Sequence, residues 1–427
     1  MNITNNSYNL MNSFSRLHCI NPIKQTNVTN NIFARLFKDM MFCDAKIRES
    51  KLNNAKKQFY NRQHQYILKS SDIPKPKTFS YNSFPAKVWK QINENSLNSI
   101  TYLINIFDRN VTINFITEKR NITLKTYDSY IDNILIWLYI VNKYADKKCA
   151  NALTLYFYQT SLRKELPLSN TEPIDQIHAN TAFTRTCQTN AEIVIFRNEE
   201  WFKVFLHETM HTFGLDFSGV DNHYCTKIML SLFNVNSDVN LYEAYTEFWA
   251  RTMNVLFCSY NHFKRENSIN ISKMSEHIIY NKLNDFASHF MNIEIKYSFF
   301  QMVKILDFMD LKYEDILKQN QQIRIKYKEN TNVLAYYIIT TILINNYQLF
   351  LGWCQKNNAS LLQFGKGVSE QEELCKFIYS KYNNKQILDA VKCTEQILDE
   401  TNKSMKNKST SKNNILNSLR MSVCEMG

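Results

Sequence analysis

Apolar residues in the first half of the chain occur in short runs separated by polar residues, which is the pattern of strands in a sheet. Five such runs cover residues 100–107, 111–116, 153–158, 181–186 and 192–196. The polar triplet Asp108-Arg109-Asn110 separates the first two runs, which predicts a hairpin. Residues 128–144 are rich in aromatic and aliphatic side chains and predict a helix.

The second half of the chain predicts helices only. All six prolines lie at or before Pro173, and the whole chain has only six glycines, so few residues interrupt helical segments there. The predicted helices cover residues 239–257, 274–290, 297–311, 332–353 and 370–379. Residues 332–353 carry no charge and are nearly long enough to span a bilayer, but Asn345, Asn346 and Gln348 interrupt them. We therefore interpret them as a buried core helix and expect no stable membrane insertion.

These patterns predict an α+β protein with two lobes. An N-terminal lobe with a small mixed sheet ends in a helix at residues 201–214, and a mainly α-helical C-terminal lobe follows. The predicted divisions are a basic Asn- and Lys-rich arm at 1–80, the mixed lobe at 81–215, the helical lobe at 216–402 and a polar tail at 403–427. We expect an irregular arm, with helical candidates at 31–42 and 45–66, and a mobile Lys-rich stretch at 402–414.

Composition indicates a folded basic protein of 427 residues, with 44% hydrophobic residues and 51 Lys and Arg against 39 Asp and Glu. The net charge of +12 fits a solvated surface and also permits contact with nucleic acid or another polyanion. The first residues show no signal-peptide pattern, and the ten cysteines form no C-x-x-C motif. We therefore expect reduced thiols in a cytoplasmic setting, with Cys187 and Cys225 as buried thiols.

The strongest candidate for chemistry is the stretch WFKVFLHETMHTFG at residues 201–214. His207, Glu208 and His211 form the pattern H-E-x-x-H within it. Because residues four apart share one face of a helix, both imidazoles could bind one metal ion. Catalytic zinc needs neutral nitrogen ligands, an open position for water and a carboxylate that takes a proton from that water. Glu208 is the candidate for this carboxylate.

The surrounding residues support a helix at this position. Its apolar residues lie at helical spacing, namely Phe202, Leu206, Met210 and Phe213. The two histidines flank that stripe, so they should face a cleft at the edge of a core. Residues 198–200 predict a cap with acids in the first turn, and Gly214 predicts the end of the helix.

A catalytic zinc site needs a third protein ligand, and residues 239–257 offer the favoured one. The polar residues of this otherwise apolar segment share one helical face, namely Glu243, Glu247, Arg251 and Asn254. A helix this apolar should be buried, so we interpret Glu243 as the third ligand. Glu247 would then orient a ligating histidine or pair with Arg251. The alternative is a strip that faces solvent, with Glu247 and Arg251 as a surface pair.

Asp216 is a second candidate for the third ligand. The motif continues as H-E-x-x-H-x-x-G, after which metzincins place a third ligand three residues beyond the glycine. Phe217 occupies that position here, and Asp216 lies one residue too early. A cap or turn role for Asp216 is therefore favoured.

The combination of H-E-x-x-H with a separate E-A-x-x-E helix resembles the gluzincins, the thermolysin-like zinc peptidases. Residues 181–258, and above all EIVIFRNEEWFKVFLHETMHTFGLDFS together with YEAYTEFWAR, are similar to metallopeptidases encoded by nucleocytoplasmic large DNA viruses. The loop at 218–238 makes the spacing from His211 to Glu243 longer than the family pattern. The resemblance implies a zincin-like N-terminal lobe, His207, His211 and Glu243 as zinc ligands, and Glu208 as catalytic base.

The resemblance also implies a function and a setting. The chain would hydrolyse peptide bonds of a peptide or protein substrate with one Zn²⁺, in the host cytoplasm or the virion. Residues 180–183 resemble the substrate-binding edge strand of the family, so Asn180 and Ala182 are candidate substrate contacts. The oxyanion donor is open among three residues, namely His223, Tyr245 and Tyr260.

A different class of function is also compatible with the sequence. A virion or scaffold protein could retain a zincin fold and its metal without cleaving anything, and its basic surface would contact nucleic acid or other virion components. An intact Glu208 favours the peptidase, because a structural site needs no base.

Overall fold

The computed structural model describes residues 1–18, 20–53, 60–267, 273–405 and 413–427. Its strands form one six-stranded sheet within the N-terminal half. They are β1 Asn61–Tyr66, β2 Asn98–Ile106, β3 Arg109–Thr117, β4 Ala152–Gln159, β5 Ala182–Thr184 and β6 Asn190–Ile195. The order across the sheet is β1-β2-β3-β4-β6-β5. The central strands β3, β4 and β6 are parallel, and β1, β2 and β5 are antiparallel to their neighbours.

Helices account for most of the remaining structure, above all in the C-terminal half. The helices before the metal motif are α1 Asn5–Ser15, α2 Asn27–Asn53, α3 Ala86–Asn95, α4 Leu124–Asn142 and α5 Gln176–Ala179. The next are α6 Trp201–Thr212, α7 His223–Leu232, α8 Leu241–Glu266, α9 Glu276–Phe308, α10 Tyr313–Ile316 and α11 Gln321–Lys326. The last are a π-helix π1 Leu334–Ile339, then α12 Thr340–Asn345, α13 Tyr347–Asn357, α14 Val368–Tyr379, α15 Lys385–Met405 and α16 Asn413–Asn417. The prediction of a mixed sheet followed by a mainly helical half is confirmed.

The two faces of the sheet are covered by different helices. On β4, Phe157 packs on one face against Trp201 and Phe205 of α6, and Tyr158 lies on the other face in a cluster with Val88 of α3. Successive residues of a strand point to opposite faces, which explains this division. Helix α6, which carries the H-E-x-x-H motif, is therefore held against the parallel centre of the sheet.

The predicted hairpin is present, with a tighter turn than expected. Phe107 and Asp108 adopt left-handed φ values of 52° and 59° between β2 and β3. A two-residue loop with both residues left-handed matches the right-handed twist of the flanking strands. Arg109, predicted as a turn residue, begins β3 instead, and its guanidinium donates to the side chain of Asn142 at 2.9 Å.

Two predicted helical boundaries in the second half are wrong. The segments 274–290 and 297–311 belong to one continuous helix, the 33-residue α9. The segment 332–353 is broken, because π1 and α12 end at Asn345 and α13 leaves at 93°. Within the described ranges no single helix is long and apolar enough to cross a membrane. The two parts of this bent pair reach the necessary length and apolar composition only when they are taken together.

The prediction of an irregular N-terminal arm is wrong for α2. Phe33, Leu36 and Phe37 of this 27-residue helix are fully buried in the cluster that runs through most of the molecule. Their spacing places them on one face of the helix, and this stripe packs against α4, α8 and α9. The helix predicted at 45–66 is wrong in its last part. Helix α2 ends at Asn53, and residues 61–66 form the edge strand β1.

The prediction of a polar tail at 403–427 is wrong for its last part. Residues 418–426, which we call the C-terminal segment, lie inside the molecule, with Arg420, Ser422 and Cys424 buried. Asn254 of α8 donates to the carbonyl of Cys424 at 2.7 Å, and Glu294 of α9 accepts from the amide of Val423 at 3.0 Å. Buried partners distant in the sequence therefore satisfy several of its polar groups. Residues 406–412 of the predicted mobile stretch lie outside the described residues.

The expectation of a free thiol at Cys187 is also wrong. The structure joins Cys187 to Cys149 by a disulfide, because the loops that carry them run side by side with Cα atoms 4.5 Å apart. The amide of Ala150 donates to the carbonyl of Gln188 at 2.7 Å and holds these loops together. Cys225, by contrast, is a buried free cysteine, as predicted.

Gly214 should be the glycine least tolerant of a side chain. Its φ is +65°, and an added Cβ would lie 3.3 Å from Sγ of Cys149. We expect Gly214→Ala to lower the free energy of unfolding by about 1 to 2 kcal/mol, because L-residues pay that cost in the left-handed region. Chemical denaturation measures the change.

Gly352→Ala is the matched control for this measurement. Gly352 lies within α13, and its added Cβ would meet nothing within 4 Å. Alanine should raise stability there by about 0.5 to 1 kcal/mol. Equal effects of the two substitutions would contradict the conformational argument for Gly214.

Candidate metal centre

Helix α6, which carries His207 and His211, begins in an unusual way and ends close to Gly214 as predicted. Glu200, expected in the first turn, precedes the helix with a left-handed φ of 58°, and its side chain does not cap the helix. The helix ends at Thr212, and the amide of Gly214, two residues later, donates to the carbonyl of His211 at 2.9 Å. The positive φ of Gly214 closes the helix in the manner of a left-handed C-terminal cap.

Three side chains of α6 and α8 converge on one point. Nε2 of His207 lies 3.2 Å from Nε2 of His211 and 3.0 Å from Oε2 of Glu243. The remaining distance, from Nε2 of His211 to Oε2 of Glu243, is 3.5 Å. Ligand atoms bound about 2.0 to 2.2 Å from a tetrahedral zinc ion are separated by about 3.3 to 3.6 Å. The observed triangle is close to that spacing.

The other nitrogen of each imidazole is held by a buried carboxylate. Nδ1 of His207 lies 3.0 Å from Oε2 of Glu247, and Nδ1 of His211 lies 2.6 Å from Oδ2 of Asp216. Because a carboxylate only accepts, each Nδ1 must carry the proton. In the neutral imidazole, the lone pair of each Nε2 then points toward Glu243 and the other histidine.

This arrangement leaves acceptor atoms facing one another. The two Nε2 lone pairs and the Glu243 carboxylate repel each other unless a cation or protons lie between them. The donor supplied at this point by another element is the hydroxyl of Tyr336, 3.1 Å from Oε2 of Glu243. The cluster of His207, His211 and Glu243 could therefore hold a metal ion.

Asp216 is not part of this ligand triangle. Its side chain is fully buried and bonds to the far side of the His211 ring, where Ser218 also donates to it at 3.0 Å. The alternative that made Asp216 the third ligand is therefore wrong, because the ring of His211 separates its carboxylate from the other ligand atoms. Its place matches that of a carboxylate that orients a metal-binding histidine.

The polar strip of α8 faces the interior rather than solvent. Glu247 accepts two bonds from Nζ of Lys203, at 2.8 Å to Oε1 and 3.0 Å to Oε2, the oxygen that also contacts His207. Burial by itself raises the pKa of Glu247, but Lys203 and His207 outweigh it and lower the pKa to about 2. Glu247 is therefore charged at neutral pH and holds the imidazole in one orientation.

Arg251 differs from its predicted role. Its Nε donates to Glu294 of α9 at 2.7 Å, and it also bonds to Ser298, so it does not pair with Glu247. The cation that pairs with Glu247 is Lys203 instead. The sequence contained a signal for this, because Lys203 lies one helical turn before His207 within an apolar stretch.

Glu208 lines a small cavity beside the ligand triangle. Its side chain is buried, with 8% of the residue exposed, and burial raises the pKa of its carboxyl group. The cavity measures about 40 Å³, and Asn180, Ala182 and Tyr336 also line it. A carboxylate with a raised pKa beside a metal is suited to accept a proton and return it near neutral pH.

The predicted substrate contacts lie along the edge of the sheet beside this cavity. Ala182 begins the edge strand β5 and is paired with Ile195 of β6. The side-chain oxygen of Asn180 accepts a bond from Thr331 at 2.8 Å, and its carbonyl accepts from Arg197 at 3.2 Å. The structure therefore brings both residues to the same cavity as Glu208.

The three predicted oxyanion donors are all engaged elsewhere or exposed. Tyr245 donates to the carbonyl of Leu362 at 3.0 Å, and Tyr260 donates to Asp44 at 2.9 Å. His223 begins α7 and is exposed. The hydroxyl that does reach the centre belongs to Tyr336 in π1. No sequence pattern distinguishes this residue among the 24 tyrosines of the chain.

Comparisons of the chain with known protein families, with curated proteins and with solved structures find no match.

Asp216 should strengthen metal binding without touching the ion. We expect Asp216→Asn to weaken zinc affinity about 10- to 100-fold, because the charge that orients His211 is lost. Competition with a chromophoric chelator measures the affinity. Asp238→Asn, a change at an exposed position of the same connecting region, is the control and should leave affinity unchanged. Equal affinities of the two variants would contradict the orienting role.

Proposed function

We propose that the chain is a zinc-dependent metallopeptidase of the gluzincin type. The observation that carries the proposal is the convergence of His207, His211 and Glu243 on one point, with Glu208 lining the adjacent cavity. Two imidazoles and one carboxylate are the ligand set of thermolysin-like catalytic zinc sites, which keep a fourth position open. Soft thiolate ligands are absent from the triangle, and all-oxygen sets typical of Mg²⁺ or Ca²⁺ differ from it.

The chain's own residues supply the proton transfers. When bound, zinc would bring the pKa of a coordinated water near 7. Glu208 accepts a proton from that water and returns it to the nitrogen of the leaving amine. Its burial favours the protonated form, which makes the acceptance of that proton easier.

Tyr336 takes the role of oxyanion donor in this proposal. Its hydroxyl lies beside the ligand triangle, and burial raises its pKa well above the ordinary value, so it keeps its proton. A neutral phenol aimed at the carbonyl oxygen stabilises the negative charge that develops there. Its hydrogen bond to Glu243 would be exchanged for one to the substrate.

An extended peptide fits the edge of the sheet. β5 is the last strand of the sheet, and its first residue lines the cavity of Glu208. A peptide that paired with β5 would place one of its carbonyl groups beside the ligand triangle, with Asn180 and Ala182 in contact. Under this proposal, pairing with β5 is enough to position the substrate, and no further element is needed.

A second function is favoured by one observation, the small size of the cavity at the buried ligands. The cavity beside Glu208 measures only about 40 Å³, and the ligands are buried. A virion or scaffold protein with a retained metal and a basic surface would need no access to the centre. Salt-dependent binding of DNA by a protein that cleaves no peptide would support this candidate.

Substitutions at Glu208 and Glu243 should separate metal binding from catalysis. We expect Glu208→Gln to keep one zinc per chain and to lower kcat for an unstructured protein substrate by at least about 100-fold. Glu243→Ala should lose the zinc and the activity together, because two ligands do not hold a catalytic ion. Metal analysis and proteolysis of casein measure both properties. Wild-type protein that binds no zinc under metal-replete conditions would refute the proposal.

Tyr336→Phe tests the proposed oxyanion donor. We expect zinc content to stay the same and kcat to fall about 100- to 1,000-fold, because one donor to the oxyanion is lost. Tyr245→Phe is the matched control, since that hydroxyl bonds to Leu362 and Asn358 away from the centre. A similar loss of kcat in both variants would indicate a packing effect rather than a catalytic one.

A further inference from the structure

The cavity beside Glu208 has one wall that the metal motif does not provide. Lys164, Lys203 and Met421 form this wall, and Ala182 of the edge strand also lines the cavity. Met421 belongs to the C-terminal segment, more than 200 residues after the motif, and is 4% exposed. Its sulfur lies 3.5 Å from Nζ of Lys203. The C-terminal segment is therefore a structural part of the candidate active site.

Met421 is held in place by hydrogen bonds of its own backbone. Its amide and that of Ser422 donate to the carboxylate of Glu200, at 3.1 and 2.7 Å. The same carboxylate accepts from Nζ of Lys164 at 2.9 Å. The amide of Glu200 in turn donates to the side chain of Glu425 at 2.9 Å. These bonds fix the backbone of Met421 and so hold its buried side chain at the cavity.

The charges in this wall are balanced. Lys203 is paired with Glu247 and Lys164 with Glu200, and all four side chains are buried. Neither ammonium group is available to pair with a carboxylate of the substrate without breaking a buried ion pair, which is costly. The cavity therefore discriminates by size rather than by charge.

The size of the cavity sets a narrow limit. Its volume of about 40 Å³ is far below the 330 to 450 Å³ of other cavities in the described part of the molecule. A cavity needs about 10 to 15 Å³ per water molecule by this measure, so it holds about three small atoms or groups. An isobutyl or benzyl side chain is larger than that, so it enters only by displacing the wall or by projecting from the mouth of the cavity.

Building on the proposed peptidase function, we propose that Met421 is a specificity-determining residue. It restricts the residue on the leaving-amine side of the scissile bond to glycine, alanine or serine. The assignment to that side follows from Glu208, which lines the cavity and returns its proton to the leaving nitrogen. The C-terminal segment thus selects the substrate through one side chain.

Binding of peptide hydroxamates tests this proposal without requiring turnover. The probes chelate zinc and differ only in the side chain that enters the cavity, which is methyl, isobutyl or benzyl. For the zinc-loaded wild-type protein we expect the isobutyl and benzyl probes to bind at least about tenfold more weakly than the methyl probe. Met421→Ala should remove most of that difference. Calorimetry measures the dissociation constants.

Two further variants make the result specific. Met421→Leu, which nearly conserves volume, should keep the preference of the wild type. Met426→Ala removes the same atoms from the same segment but at a buried site away from this cavity, so it should also keep the preference. Relaxed binding in Met426→Ala as well would assign the effect to loosening of the segment and overturn the role of Met421.

The remaining outcomes separate this inference from the proposed function. If the methyl and isobutyl probes bind the wild type equally well, the size limit is wrong while the metal centre stands. If no hydroxamate binds a protein shown to carry zinc, the open coordination position is missing, and the proposed function falls together with this inference.

Discussion

The structure around the centre depends on the need to balance buried charge. Glu243 and the two imidazoles of His207 and His211 present acceptor atoms to one another in an interior where such repulsion is strong. Each imidazole is oriented by a further buried carboxylate, and one of these, Glu247, needs Lys203 to offset its own burial. A cation at the centre of the triangle would complete this balance. The packing of α6 against α8 follows from the same set of contacts.

A second set of buried charges lies behind the first and includes the end of the described chain. Glu200 precedes the metal helix and bonds to Lys164 and to the C-terminal segment, while Glu294 of α9 joins that segment to Arg251 of α8. Residues far apart in sequence therefore hold α6 and α8 in place through buried charges. Removal of one partner would leave an unpaired buried charge, which costs several kcal/mol.

The sequence predicted those elements whose periodicity is local. The hairpin, β4 and α6 lie within a few residues of the predicted ranges, whereas α8 starts close to its predicted start but extends to Glu266. The polar strip of α8 identified Glu243 and Glu247. The missed features depend on distant partners. Strand β1, with the polar sequence NRQHQY, is a strand only because β2 pairs with it. The C-terminal segment is polar by composition and buried only because Glu200, Asn254 and Glu294 receive it. Tyr336 reaches the centre from a π-helix that no sequence pattern indicated.

That π-helix has a consequence for how the chain tolerates changes in length. A π-helix arises when one extra residue is accommodated within an α-helix, and each residue of an α-helix turns the chain by about 100°. Deletion of one residue between Leu334 and Ile339 would restore regular winding and rotate Tyr336 away from Glu243 by roughly that angle. Insertions and deletions, which most connecting segments absorb at little cost, would therefore be selected against in this stretch more strongly than conservative substitutions.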